Sequence, residues 1–496
     1  MSYQTPAMSR ARQAIFPIAN WELPKFLPMA LMIFITIFNF TLLRNAKDAL
    51  FITAPGSGAE AIPFLKLYGV LPMTILCSLL YVKLRKAFDF EKCYYVIIGF
   101  FVGFFIIFTL FLYPNVDYLH MSTATVAALK KSFPRIQHIF PIFAVWTYSL
   151  FYILAELWGT FCLSILFWQF ANDNVGQKEA KRFYPLLILT SNISTMVLGL
   201  VMSQFARLDA HEIIFYSNTM IVVLAAIMVY TFRWLNRSVL VDPKFLADVS
   251  PKAKKSKLKL GFVDSIKQVM KSPYIGCIAL LVLSYGVLIN VIEVTWKSQL
   301  RQLFPELKSY YNFMSTYTLW TGIISMIFVF VSKSIIRTRG WLTCAIITPI
   351  VLGLTGIVFF MYMLHQDAFA HILVYLGGIP ALTFAVWFGG IGVLVSKSSK
   401  YSFFDPTKEM AFIPLDYDLK ATGKAAADGV GGRLGKAGGG FIQSSLYIIL
   451  AADSQMAIAP YLAVVVVALT LIWLFSVVKL SKLYNEQVKL AEQPDA

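Results

Sequence analysis

Residues 94–113 read YYVIIGFFVGFFIIFTLFLY, an uninterrupted run of twenty residues without a charged side chain. A helix of about 20 residues is long enough to cross the hydrocarbon core of a bilayer. The apolar side chains are continuous and do not alternate with polar ones, which argues against a membrane β-strand. We therefore predict that this run crosses a membrane as an α-helix.

The composition of the whole chain supports the same class. Its 496 residues are 58% hydrophobic and only 14% charged, with a mean hydropathy of +0.69. A soluble domain is about 25% charged, so this chain could not cover a water-exposed surface. The net charge of +17 comes from Lys and Arg that fall mainly in loops. There we expect them to set topology and meet anionic lipid, with no nucleic-acid partner.

The cysteines and histidines give no sign of a bound metal or cofactor. The five cysteines are scattered without a C-x-x-C pair, and the five histidines do not cluster as ligands. We predict no disulfide framework, no metal site and no cofactor. The polar N-terminus lacks the short apolar run and cleavage site of a signal peptide, so the first span is expected to direct insertion.

Runs like residues 94–113 recur along the chain and predict an all-α polytopic fold of twelve spans. The predicted spans are residues 25–43, 62–82, 94–113, 139–168, 186–206, 214–234, 274–295, 312–336, 341–363, 372–396, 438–452 and 457–480.

The distribution of positive charge in the loops supports this count. Loops after the even-numbered spans carry most Lys and Arg, including Lys397 and Lys400 after span ten, whereas those after spans nine and eleven carry none. The positive-inside rule then places the even loops and both termini in the cytoplasm.

The basic stretch 251–259 divides the twelve spans into two sets of six. We predict a cytoplasmic segment 1–24, a first half 25–234, a basic linker 235–273, a second half 274–480 and a tail 481–496. Two six-helix halves joined by a polar linker are typical of major-facilitator-type transporters.

Charged residues inside apolar spans are expensive and are therefore candidates for function. Arg44 and Lys47 are three residues apart at the end of span one and share a helix face. Arg as a bidentate donor and Lys as a point charge suit a polyphosphate. A pair that reaches to the membrane interface explains the pattern equally well.

Three polar residues in spans four and seven are further candidates. Glu156 has apolar sequence on both sides and must be paired, protonated or in a wet cavity. Asn290 and Glu293 share a face, although Glu293 is also close enough to a span end to be interfacial. Among the many aromatic residues, Tyr152 and Trp158 lie beside Glu156 and are candidates for stacking a base.

The segment 423–440, GKAAADGVGGRLGKAGGG, is rich in glycine and basic residues. It fails the phosphate-loop pattern because residue 430 is Val and Ala437 follows the lysine, so we exclude a P-loop ATPase. Glycines can still let the backbone approach a ligand or another helix. Lys424, Arg433 and Lys436 add positive charge near the cytoplasmic end of span eleven.

Several unusual strings extend from residue 25 to beyond 440 and together suggest a family. They are LRNAKD (43–48), TAPGSGAE (53–60), IPFLK (62–66), AELWG (155–159), LFWQFAN (166–172), EVTWKS (293–298), IPLD (413–416) and GRLGKAGG (432–439). With them the chain resembles the nucleotide transporter family, the ATP/ADP translocases of obligate intracellular bacteria and of plastids.

The resemblance implies roles for particular residues. Two lysines and two glutamates are held to be essential in that family, and by motif they fall here on Lys47, Glu156, Glu293 and either Lys424 or Lys436. Ala437 departs from the Ser expected in many relatives, which weakens a role for a hydroxyl there.

The resemblance also implies an activity, the exchange of external ATP for internal ADP, with phosphate. We expect a monomer in the inner membrane of an intracellular bacterium, with a plastid envelope as the alternative. Proton-coupled net import of nucleoside triphosphates and NAD/ADP exchange remain open as variants. A membrane-embedded enzyme acting on lipid-linked substrates is the rival from another class, but the sequence shows no nucleophile–base pair, metal cluster or catalytic loop for it.

Overall fold

The structure is a computed structural model that describes residues 16–245, 272–375, 377–415, 423, 427 and 431–492. The described part of the chain is built from helices. Much of the predicted linker, and the N-terminal segment up to residue 15, lie outside the described residues.

Six long helices form the first half. They are α1 (Leu23–Thr53), α2 (Ala59–Ala87), α3 (Phe90–Leu119), α4 (Trp146–Asn174), α5 (Gln177–Phe205) and α6 (Ala210–Val239). Each is long and apolar enough to cross a membrane. The turn between α1 and α2 contains Pro55 and Gly56, and Gly56 has a φ of 75° that glycine adopts without strain.

The described residues of the second half include six further helices. They are α7 (Pro273–Leu303), α8 (Leu307–Leu364), α9 (Gln366–Tyr375), α10 (Ala381–Ala411), α11 (Gly432–Leu450) and α12 (Gln455–Glu492). The run named α8 covers 58 residues and consists of two helices that meet at Gly340, where a φ of 82° interrupts the helical geometry. It therefore has a first arm, residues 307–339, and a second arm, residues 341–364, which correspond to predicted spans eight and nine.

The predicted span boundaries need three corrections. Span four begins with a separate turn, Phe140–Ala144, before α4. The prediction that span ten covers 372–396 is wrong in register, because α9 ends at Tyr375 and α10 runs from Ala381 to Ala411. The last helix continues past residue 480 to Glu492. Ten helices of the described chain could span a membrane, one of them the double-length α8, so the count of twelve stays a prediction.

The two halves meet along α5 and the first arm of α8. A Cβ on Gly199 would overlap the backbone of Leu319, and one on Gly322 would lie 2.6 Å from the backbone nitrogen of Met196. Small residues let membrane helices approach this closely. In the same region Asn45 of α1 donates to Thr318 at 3.0 Å.

Further contacts between the halves gather where α1 and α7 end, which we call the closed end. Ser298 donates to Glu60 at 2.7 Å, and Gln137 and the ring of His138 both contact the carbonyl of Ala452 at 3.0 Å. Burial lowers the pKa of His138, so the ring is neutral at neutral pH and its Nε2–H is the donor to Ala452. These contacts hold the halves together at this end of the bundle.

Candidate functional site

The N-terminal half places Lys47 in a buried, charged environment near the closed end. Its Nζ lies 2.9 Å from Oδ1 of Asp48 and 3.1 Å from Oε1 of Glu156 on α4. The same ammonium sits 3.5 Å from the ring centroid of Tyr152, one turn before Glu156. Two carboxylates and an aromatic face therefore hold a single cation of α1, and Tyr152 covers that cation. Trp158 instead packs in the apolar core against Phe101.

The C-terminal half builds a matching group on α7 and α10. Oε1 of Glu293 accepts from Lys297 at 2.7 Å, one helical turn along α7, and from Lys397 of α10 at 2.9 Å. Lys297 and Lys397 are both buried. The assignment of Lys397 to a loop was wrong, because α10 continues through it to Ala411.

Two contacts join these groups across the halves. Lys297 donates to Oδ2 of Asp48 at 2.7 Å, so one buried carboxylate binds a lysine from each half. On α2, Lys66 donates to the side-chain oxygen of Asn290 at 2.7 Å. Arg44, half-buried beside Phe40, lies within electrostatic range of Glu293 and Asp48.

We call this set the charged cluster. Its members are Arg44, Lys47, Asp48, Lys66, Glu156, Glu293, Lys297 and Lys397. With every group ionised, five cations and three carboxylates leave a net charge of +2. An excess of positive charge buried among membrane helices is costly unless an anion compensates it. The cluster therefore suits a ligand that carries at least two negative charges.

The structure brings five of the predicted site residues together: Arg44, Lys47, Glu156, Asn290 and Glu293. The other predicted members cannot be placed in the cluster. Lys424 lies outside the described residues, as do the side chains of Arg433 and Lys436.

Sequence reasoning missed four members of the cluster. Asp48 directly follows Lys47 in the apolar run, and Lys297 lies four residues after Glu293, at ion-pair spacing. Lys66 interrupts the apolar start of span two, which was the signal for it. Lys397 was missed because the end of span ten was set too early.

The glycines of the segment 423–440 serve helix packing where they are described. A Cβ on Gly435 would lie 3.1 Å from Cα of Gly286, and one on Gly439 would lie 2.8 Å from Cβ of Asn290. A Cβ on Gly440 would lie 3.1 Å from the carbonyl oxygen of Pro63 in the other half. These glycines therefore bring α11 close to α7 and α2 and support the position of Asn290.

Three helices of the cluster contain a π-helical segment next to a charged member. The segments are Leu65–Val70 around Lys66, Gly159–Phe167 one turn after Glu156, and Lys400–Phe404 one turn after Lys397. Wider turns of this kind are frequent at functional sites, because they displace the side chains that follow from regular helical positions. Their position supports the cluster as the functional centre.

The sequence of the whole chain matches a known family. The TLC ATP/ADP transporter family matches it over residues 1–484. The chain belongs to this family. Full-length relatives include the ADP,ATP carrier protein 1 of Rickettsia bellii, 38% identical over 494 residues that cover 98% of each chain. The ADP,ATP carrier protein 1 of Chlamydia muridarum is 41% identical over 98% of this chain and 93% of its own.

Solved structures resemble this family member in fold. A bacterial homologue of the iron transporter ferroportin in an inward-facing state superposes with a TM-score of 0.57 at 12% identity, covering 94% of this chain and 100% of that one. The nucleoside transporter NupG gives 0.54 at 10% identity, with 92% and 99% covered. The predicted fold class, an all-α polytopic protein of major-facilitator type, is therefore confirmed.

Proposed function

We propose that this chain exchanges external ATP for internal ADP, together with phosphate, by alternating access. The observation that carries the proposal is the charged cluster between the halves, whose five cations and three carboxylates give a formal excess of two positive charges. The relatives named ADP,ATP carriers align over 98% of the chain and support the same substrate pair. These relatives are carriers, and we propose that this chain likewise transports its nucleotides and does not act as an enzyme on them.

Each half contributes cations to the polyphosphate in this mechanism. Lys47 and Arg44 come from α1, and Lys297 and Lys397 come from α7 and α10. Lysines serve as compact point charges, whereas Arg44 can donate two parallel hydrogen bonds to one phosphate. A ligand bound between the two sets draws the halves together, and the halves then rock about it.

The proposed orientation places both termini in the cytoplasm of an intracellular bacterium, with the chain a monomer in its inner membrane. Helix α1 then runs from the cytoplasm to Thr53 outside, so the closed end faces outward. The contacts between the halves at the closed end would then shut the outer side of the carrier. An introduced cysteine at position 256 in intact cells tests the orientation. It should resist an impermeant thiol reagent added outside, and efficient labelling would overturn the proposed map.

Uptake of labelled ATP into proteoliposomes tests the exchange itself. Vesicles preloaded with ADP should accumulate ATP rapidly, whereas empty vesicles should accumulate little. Vesicles preloaded with NAD and given labelled ADP outside test the alternative of NAD/ADP exchange. Strong uptake into empty vesicles, driven by acid outside, would refute exchange and identify a proton-coupled importer.

A further inference from the structure

Asp48 occupies the junction between the two halves. It is 1% exposed, and each of its carboxylate oxygens binds a different lysine. Oδ1 lies 2.9 Å from Lys47 of the first half, and Oδ2 lies 2.7 Å from Lys297 of the second. A carboxylate from one half thus connects two cations that belong to opposite halves.

The other two carboxylates of the cluster bind lysines of their own half. Glu156 binds Lys47 within the first half, and Glu293 binds Lys297 and Lys397 within the second. The ion pair between Asp48 and Lys297 crosses the halves at a distance of 2.7 Å, so it holds them together at the cluster.

A phosphate of the substrate has the same chemistry as this carboxylate. Both present negatively charged oxygens to ammonium groups at about 2.7–2.9 Å. A polyphosphate that binds Lys47 and Lys297 would compete with Asp48 for both. When the ligand leaves, two buried ammonium groups would face each other without compensation unless Asp48 returned.

We propose that Asp48 is an internal counter-ion that replaces the substrate phosphate and keeps the closed end shut in the empty carrier. This inference rests on the proposed function for the identity of the anion that Asp48 replaces. Asp48 would then control whether the empty carrier can change conformation. Asp48 is a positioning residue in this role, because it acts through Lys47 and Lys297.

The accessibility of the closed end measures this role directly. Ala59 is fully buried at the start of α2, close to Glu60 in the closed end. We would introduce Ala59→Cys after replacing the five native cysteines, and measure its labelling by an impermeant thiol reagent added outside. The carrier is tested empty and with saturating ADP, in the parent and in Asp48→Asn.

The empty parent should be labelled slowly. In empty Asp48→Asn we expect labelling about tenfold faster or more, because breaking a buried ion pair leaves uncompensated charge. Added ADP should slow the labelling of Asp48→Asn by restoring an anion at the two lysines. Asp48→Glu, which keeps the charge, should restore slow labelling. Asp405→Asn is the matched control, because Asp405 pairs with Lys400 within one half, and it should label like the parent.

Each contrary outcome would overturn the proposal. Empty Asp48→Asn labelled as slowly as the parent would show that another contact shuts the closed end. Fast labelling that ADP does not slow would show that Asp48 does not substitute for the nucleotide. If Asp48→Asn fails to reach the membrane, the double variant Asp48→Asn/Lys297→Gln is labelled in its place. It should be labelled slowly, because removing one lysine restores the charge balance. The proposal would also be contradicted if the double variant were absent from the membrane or were labelled rapidly.

The two proposals fail separately. Absence of ATP/ADP exchange by the parent would refute the proposed function. Labelling of the empty carrier involves no nucleotide, so it tests the counter-ion role of Asp48 whichever anion is transported.

Discussion

Replacing Glu293 by Gln should destabilise the empty carrier and strengthen nucleotide binding. The carboxylate compensates Lys297 at 2.7 Å and Lys397 at 2.9 Å, so its loss raises the formal net charge of the cluster from +2 to +3 while all its cations stay protonated. Breaking a buried ion pair costs about 3–5 kcal/mol. The Glu293 side chain is 15% exposed, so we expect a loss near the lower figure, about 3 kcal/mol, in the free energy of unfolding.

The added positive charge should act oppositely on the nucleotide-bound state. Two unit charges about 6 Å apart interact by about 3 kcal/mol at an effective dielectric constant of about 20. Screening by solvent at the partly exposed Glu293 side chain reduces this to about 1.5 kcal/mol, which is about a tenfold decrease in Kd for ATP. Thermal unfolding of the purified carrier, with and without ATP, measures both effects.

Lys397→Gln is the matched comparison for Glu293→Gln, because it lowers the net charge to +1 and leaves the Glu293–Lys297 pair intact. ATP should raise the unfolding temperature of Lys397→Gln less than that of the parent. Without ATP, its unfolding temperature should change little. If both variants shift the ATP stabilisation in the same direction, the electrostatic reasoning is wrong. A Glu293→Gln carrier as stable as the parent without ATP would equally contradict it.

Other changes test separate parts of the mechanism. Lys47→Gln should nearly abolish ATP uptake while the chain still inserts, because the ligand loses a buried cation; normal uptake at low and saturating ATP would remove Lys47 from the site. Glu156→Gln should impair transport but keep its dependence on internal ADP if Glu156 only balances charge, which uptake at two external pH values with and without ADP would show. Gly199→Ala should destabilise this conformation by about 1–3 kcal/mol through overpacking, measured as a lower unfolding temperature; an unchanged temperature would mean that the helices separate freely. Labelling of Ala59→Cys, expressed relative to that of an exposed cysteine at the same pH because thiolate is lost as pH falls, should accelerate below about pH 6.5. Burial lowers the pKa of His138 in the closed state, so protons favour the hydrated open state; the same pH dependence in His138→Gln would exclude His138.

The fold could be predicted from the sequence because the bilayer imposes simple rules. Helix length, apolar continuity and the sides on which lysines occur are all local properties of the sequence. The ends of the spans were harder to predict where the structure does not form one continuous helix for each span. The bend of α8 at Gly340 and the gap between α9 and α10 depend on tertiary packing, which no local hydropathy reports.

The candidate site could be predicted only in part for a related reason. Charges isolated in apolar sequence, such as Glu156, stand out because burial makes them costly. Lys397 lies at the end of the apolar run of predicted span ten, and there the same rules describe it equally well as a loop cation. Which carboxylate pairs with which lysine depends on contacts between residues up to 249 positions apart, as for Asp48 and Lys297. Those pairings required the structure.

The two arms of α8 contact different parts of the protein. Its first arm contacts the other half at Gly322, whereas its second arm packs through Gly353 against Thr470 of α12 and through Gly356 against Ile292 of α7. The two arms are separate helices joined directly at the non-helical residue Gly340, so a movement of the first arm at the contact between the halves can shift the second. Such a shift would reach α7, the helix that contains Glu293 and Lys297, through the contact of Gly356 with Ile292.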